Sequence, residues 1–178
     1  MTAPEAPAPQ ARAAQAPDLA TPVAGFRAWR VANGRLVSPY VPCRWEGRVM
    51  HAACFDANRG LEGGRGWLDV PHESPHPACR CGIYAYHRPG PRTYFGEVWW
   101  CHGVVTAWGR MEVHADGLRA EFARVEGLAE PEVPDLRLRA AVRAIAVDLG
   151  VPLVAAAELP GLAARVGGPV PARLLPGR

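Results

Sequence analysis

The sequence predicts an α+β domain in which a coiled antiparallel sheet or small β-barrel is followed by C-terminal helices. Three observations predict it. Asn33-Gly34 separates two extended-looking runs, the stretch from Thr93 to Gly127 is dense in aromatic and β-branched residues, and after Pro131 the apolar spacing becomes helical.

In GFRAWRVANGRLVSP, Phe26, Ala28 and Arg30 alternate with Arg27, Trp29 and Val31 up to Asn33-Gly34. A two-residue hairpin turn needs positive φ at both central positions, which Asn and Gly accept most readily, so the first element is a β-hairpin. A further strand is expected over Arg44 to Ala53, ending at Cys54. From Phe55 to Ala78, glycine and proline interrupt a stretch with little periodicity, which reads as a long loop holding a short extended piece at Trp67 to Val70. Loops of this length are uncommon in compact domains unless something pins them.

Beyond the loop, the turn Ala115-Asp116-Gly117 predicts a hairpin pairing Thr106 to Val113 with Leu118 to Val125. The interior glycines Gly96 and Gly103 suggest bulges and a strongly coiled sheet. Leu138, Val142, Ile145 and Leu149 fall on one helical face that stops at Gly150 and Pro152, and a shorter helix is expected over Val154 to Val166. Residues 1–24, rich in Ala and Pro, are expected to form a disordered arm, residues 25–166 a single domain, and residues 167–178 a flexible tail.

Composition narrows the function classes. All 20 basic residues are arginine, but the net charge is only +3 and the arginines are scattered, which argues against a dedicated nucleic-acid binder. The amino terminus has neither a basic start nor an apolar core region, and no run of about 18 uncharged apolar residues occurs, so a soluble cytoplasmic protein without membrane attachment is expected. In a reducing compartment the five cysteines read as thiols or metal ligands. Phosphate-binding loops, nucleophile elbows and zinc-protease helices are absent, so no catalytic residue is assigned. Asp69, Glu73 and Glu97 read as solvated loop carboxylates.

The chemistry-bearing stretch is PHESPHPACRCGIYAYH, from Pro71 to His87. Cys79 and Cys81 form a C-x-C pair whose sulfurs reach one ion if the backbone turns between them or if they fan from an extended segment, and Cys54 at the far end of the loop would close that loop on the same ion. For the fourth ligand, the two-residue gap before Cys79 favours His76, with His72 as the other candidate. Cys43 and Cys101 read as core residues. Most of the six tryptophans are expected in the core, with adjacent Trp99 and Trp100 on opposite faces, and Arg119 with Glu121 is expected to form an ion pair along one strand face.

Trp29, Leu36, Cys54, His72, Pro75, the run CRCGIYA from Cys79 to Ala85, the Ala107 to Arg110 stretch and the Gly117 to Glu121 stretch resemble a pattern shared by an uncharacterised protein family of high-GC Gram-positive bacteria. The resemblance covers roughly residues 26 to 155 and departs from the family at Trp99-Trp100 and Cys101. It implies a histidine three residues before a proline and then C-x-C-G-I-Y-A, and so favours His72 over His76; it implies no activity. The resulting expectation is a structural zinc held by Cys54, His72, Cys79 and Cys81 in a binding or accessory module for a protein partner or small ligand. A zinc-dependent hydrolase or a thiol enzyme using the same cluster is the alternative.

Overall fold

The computed structural model describes residues 22–39, 41–54, 72–89 and 100–176. Of the arm expected over residues 1–24, residues 1–21 lie outside the described residues, as does the extended piece expected at Trp67 to Val70, whereas Val23 and Ala24 already belong to the first strand because they pair with Ala107 and Thr106. The chain forms an α+β domain: β1 (Val23–Ala32), β2 (Arg35–Val37), β3 (Val49–His51), β4 (Ile83–Tyr86), β5 (Trp100–Val113), β6 (Gly117–Ala129), α1 (Leu136–Leu149), β7 (Leu153–Val154) and α2 (Leu159–Val166).

The seven strands make one sheet that curls into a ring. Strand β1 pairs with β5 from Val23 opposite Ala107 to Arg30 opposite Trp100, and meets β4 at Phe26 opposite Tyr86. Strands β4 and β5 both pair with β6, which closes the circuit. All pairings between these strands are antiparallel except β6 with β7. The β5–β6 hairpin outruns its expected length because two register shifts, at Val104/Val105 and Trp108/Met111, let a long ladder coil without breaking.

The first hairpin forms as expected, with Asn33 at φ 50° and Gly34 at φ 69°. The predicted strand from Arg44 to Ala53 is shorter, for a topological reason. Arg44 still bridges Val37 and the Trp45 amide donates to Leu36, whereas Val49–His51 pairs with β6, so the chain changes partners in between and cannot ladder throughout.

The helical half follows its signals. Asp135 caps α1 by accepting from the Arg137 and Leu138 amides at 2.8 and 3.2 Å, and Gly150 ends it in the left-handed region. The second helix is shorter than expected, since Leu153–Val154 adds to β6 as a strand and a single 3₁₀ turn precedes Leu159. Pro160 lies in the first turn of α2, where its missing N–H costs nothing. The closing segment, expected to fray, docks instead: Gly168 bridges Val23, its carbonyl accepts from the Ala24 amide at 2.9 Å, and Val170 is buried. Burying Val170 and pairing the start of β1 offset the ordering entropy of that segment.

Side chains inside the ring, including Trp29, Leu36, Trp45, Val105, Leu118 and Val125, form the main core with Leu138, Val142 and Ile145 of α1. A second cluster outside the ring packs Leu159, Leu162 and Ala163 of α2 against Phe26 and Val104. Strand β1 is therefore covered on both faces over its middle. Trp29 and Trp45 meet edge to face with centroids 5.4 Å apart, as expected of core aromatics. Trp108 stays half-buried outside the ring, stacked on Phe122, which in turn stacks on His51. Trp100 is half-buried, and Trp67 and Trp99 lie outside the described residues. Among the described residues no helix is long and apolar enough to cross a membrane.

Glu126, buried on β6, ties three segments together. Its carboxylate accepts from the Thr106 hydroxyl at 2.6 Å, Arg124 Nε at 2.7 Å and Arg48 Nη2 at 2.9 Å. Burial alone pushes its pKa up, but these donors and the Arg124 charge hold the carboxyl below its ordinary 4.5. A depressed carboxylate contributes stability that is present above the unfolded-state pKa and is lost as pH falls through the folded one. Glu126→Gln should therefore destabilise the domain by about 2 kcal/mol at pH 7. In paired thermal melts the gap between wild type and variant should narrow as pH falls below about 4.5, the wild type losing the contribution the variant already lacks.

Candidate metal centre

Strand β6 uses one edge for two partners in succession. Strand β3 occupies Phe122 to Arg124 and runs toward lower β6 numbers, while β4 begins opposite Ala120 and continues to Gly117. The end of β3 and the start of β4 thus face each other across residues 120–121. The Ala52 amide still donates to the Glu121 carbonyl at 2.7 Å, which carries the β3 pairing one step further and delivers Cys54 to this junction. From the other side, Cys81 and Gly82 lead into β4.

At the junction four donor atoms converge. The Sγ atoms of Cys54, Cys79 and Cys81 and a ring nitrogen of His72 all lie within 4.8 Å of one another. Cys54 Sγ is 3.7 Å from Cys79 Sγ, and Cys81 Sγ is 3.4 Å from His72 Nε2. Zinc–sulfur bonds of about 2.3 Å and zinc–nitrogen bonds of about 2.0 Å set the edges of a tetrahedron at about 3.8 Å between two sulfurs and about 3.5 Å between sulfur and nitrogen. The two measured separations match those edges. Cys54 and Cys79 are buried, whereas Cys81 and His72 are half-buried, so the cluster sits at the rim of the core. This Cys₃His group can hold a metal ion.

His76, favoured by spacing alone, is not in the group. Its ring lies 4.9 Å from that of His72, its Nδ1 accepts from the Ala78 amide at 3.2 Å, and its carbonyl accepts from the Cys79 amide at 2.9 Å. His76 thus shapes the turn before Cys79. Spacing misjudged it because the two-residue gap is occupied by a tight turn that folds His76 back onto its own backbone.

The remaining cysteines stand apart. Cys101 lies in the main core, and burial pushes its pKa up to about 12, so the thiol stays protonated at neutral pH. Cys43, expected in the core, is only half-buried, in the bend where the Ser38 amide donates to its carbonyl; burial raises its pKa as well. Asp69 and Glu97 lie outside the described residues, and Glu73 is exposed and pairs with Arg110.

Arg119 and Glu121 do not pair with each other, contrary to expectation. Arg119 joins Glu112, its direct cross-strand neighbour on β5, while Glu121 takes Arg110 and lies 3.7 Å from His51. Opposite positions on adjacent strands bring side chains nearer than successive positions on one face of the same strand. Burial tends to raise the Glu121 pKa, but hydrogen bonds from the Arg110 amide and guanidinium leave it lowered. Arg119 is also buried, and its guanidinium donates to backbone carbonyls of the ligand-bearing turn. The sequence held only a faint signal of this, an arginine among apolar residues in a strand. Compared with protein-family models, curated proteins and solved structures, the chain matches none.

Proposed function

We propose that Cys54, His72, Cys79 and Cys81 bind one zinc ion of structural role, and that the domain is a cytoplasmic binding or accessory module for a protein partner or small ligand. The observation that carries this reading is the convergence of four donors from two distant chain segments, at separations that suit a tetrahedral ion. Thiolates with imidazole suit zinc, whereas magnesium and calcium prefer oxygen and an iron–sulfur cluster prefers four cysteines. Four protein donors leave a tetrahedral zinc no position for water, and a hydrolytic zinc needs one. A thiol enzyme would need an accessible thiolate, and Cys101 is buried with its pKa pushed up to about 12. A reducing cytoplasm suits a chain whose cysteines work as thiols and ligands.

Purified protein should carry about one equivalent of zinc per chain, measured by elemental analysis. Cys54→Ser, Cys79→Ser, Cys81→Ser and His72→Ala should each lose most of it, and His76→Ala should keep it. Stripping the ion with a chelator should lower the thermal midpoint by about 10 °C or more, because the ligand bonds close the chain between β3 and β4. A metal-free wild type would overturn the zinc reading; a stripped protein with an unchanged melting curve would overturn its structural role.

Thiol labelling at neutral pH read by mass spectrometry gives an independent check. Cys43 should be modified in the native holoprotein, and Cys54, Cys79 and Cys81 only after chelation, since zinc-bound thiolates are shielded. Cys101 should react only on unfolding. Rapid labelling of Cys101 in the folded protein would revive a thiol enzyme.

A further inference from the structure

We propose that Arg119 is the positioning residue of the metal centre, its guanidinium holding the turn from His76 to Cys81 by the backbone carbonyls so that Cys79 and Cys81 aim at one ion. This rests on the zinc reading above and adds a device that reading does not contain. The difficulty it solves is geometric. In an extended chain the Cα atoms of residues two apart stand about 6.6 Å apart, so the two sulfurs reach the edge of a zinc–thiolate tetrahedron only by fanning toward each other. A bend in the backbone between and before the cysteines brings both sulfurs to one ion without that distortion.

The Arg119 fork supplies that bend. Its Nη1 donates to the carbonyls of Cys79 and Cys81, the latter at 3.0 Å, and its Nη2 donates to the carbonyl of His76 at 3.2 Å. Nε donates to Glu112 Oε2 at 2.9 Å, and Nη2 also donates to that oxygen. All five N–H donors of the guanidinium are thereby engaged, three on the turn and two on the carboxylate that anchors it. Three carbonyls drawn to one planar cation curl the chain around it, which turns the intervening side chain of Arg80 outward and the two cysteines inward.

The surroundings keep this cation in place. Arg119 lies opposite Glu112 on β5 and Tyr84 on β4, so its backbone is held in the sheet on both sides. Gly82, at φ 124°, lets the chain pass directly over the arginine stem; a Cβ there would lie 3.1 Å from Arg119 Cβ and 3.2 Å from Pro75 Cβ. Glycine at 82 is thus required by its positive φ and by the close approach of the Cβ atoms at 119 and 75. A lysine at 119 would present a point charge with three donors and could not span the carbonyls and the carboxylate together.

The test uses the full chain and two metal probes, zinc in competition with a chromophoric chelator and cobalt(II) followed by its visible spectrum. Arg119→Lys and Arg119→Met should each weaken zinc binding about 10- to 100-fold, the usual effect of losing a group that orients metal ligands. They should also weaken or shift the tetrahedral cobalt bands. Glu112→Gln, which keeps the guanidinium but loosens its anchor, should show a smaller loss in the same direction. Val142→Ala, a core truncation on α1, should lower the melting temperature while leaving zinc affinity and cobalt spectrum unchanged. Wild-type affinity and spectrum in both Arg119 variants would overturn the proposal. So would an equal loss in Val142→Ala, which would assign the effect to general stability. If the Arg119 variants do not fold, an unchanged Glu112→Gln overturns it. A wild type that binds neither metal overturns the zinc reading itself, a result separate from wild-type binding without dependence on Arg119.

Discussion

Two short strands that never pair with each other share one edge of β6, end to end, and the chain between them must leave that edge and return to the same point. This constraint organises the molecule. Strand β3 has only three residues and β4 only four, so neither ladder can hold a long excursion closed by its own hydrogen bonds. Of the four donor residues, Cys54 stands just beyond β3, Cys79 and Cys81 just before β4, and His72 further upstream of β4. The entropy of closing a chain segment grows only slowly with its length, so an ion held by these four donors would suffice to fix the two strand ends together.

The second recurrent device is the guanidinium used as a backbone and carboxylate organiser, buried at Arg27 and Arg119 and exposed at Arg48. Arg27 lies inside the ring near the faces of Trp29 and Trp45 and donates to the Tyr84 carbonyl and to Ser38 Oγ. Arg48 joins the Val125 carbonyl to the Glu126 carboxylate and so staples the approach to β3 onto β6. Arg119 does the same for the turn before β4. A planar cation with five fixed donors suits the two buried positions because each must satisfy several acceptors in different directions without mobile water. The lysine-free composition therefore has structural consequences whatever its origin.

Local signals were legible wherever a few neighbouring residues decide the backbone. Asn33-Gly34 turns because only small or amide side chains accept positive φ, and Leu138, Val142 and Ile145 face the core because helical spacing leaves them no other face. The Cys54, Cys79 and Cys81 grouping was legible for a similar reason, since donor types this scarce are informative when clustered. Partner changes were not legible. Nothing local in Arg44 to Ala53 says that the first residues belong to β2 and the last to β6, and nothing local in Gly167 to Leu174 says that β1 offers it an open edge.

The choice between His72 and His76 marks the boundary most clearly. By itself the sequence determined the type of fold, the turn at Asn33-Gly34, the main helix and the set of donor atoms, because these follow from backbone preferences and side-chain chemistry over short spans. Spacing pointed to His76 and the resemblance to His72; the tertiary structure puts His72 beside the sulfurs, and it alone decided that Arg119 turns toward Glu112 and the carbonyls beside the cysteines and that the two strand ends meet at residues 120–121 of β6. Those outcomes depend on which distant strands lie side by side, and a one-dimensional spacing carries no record of that.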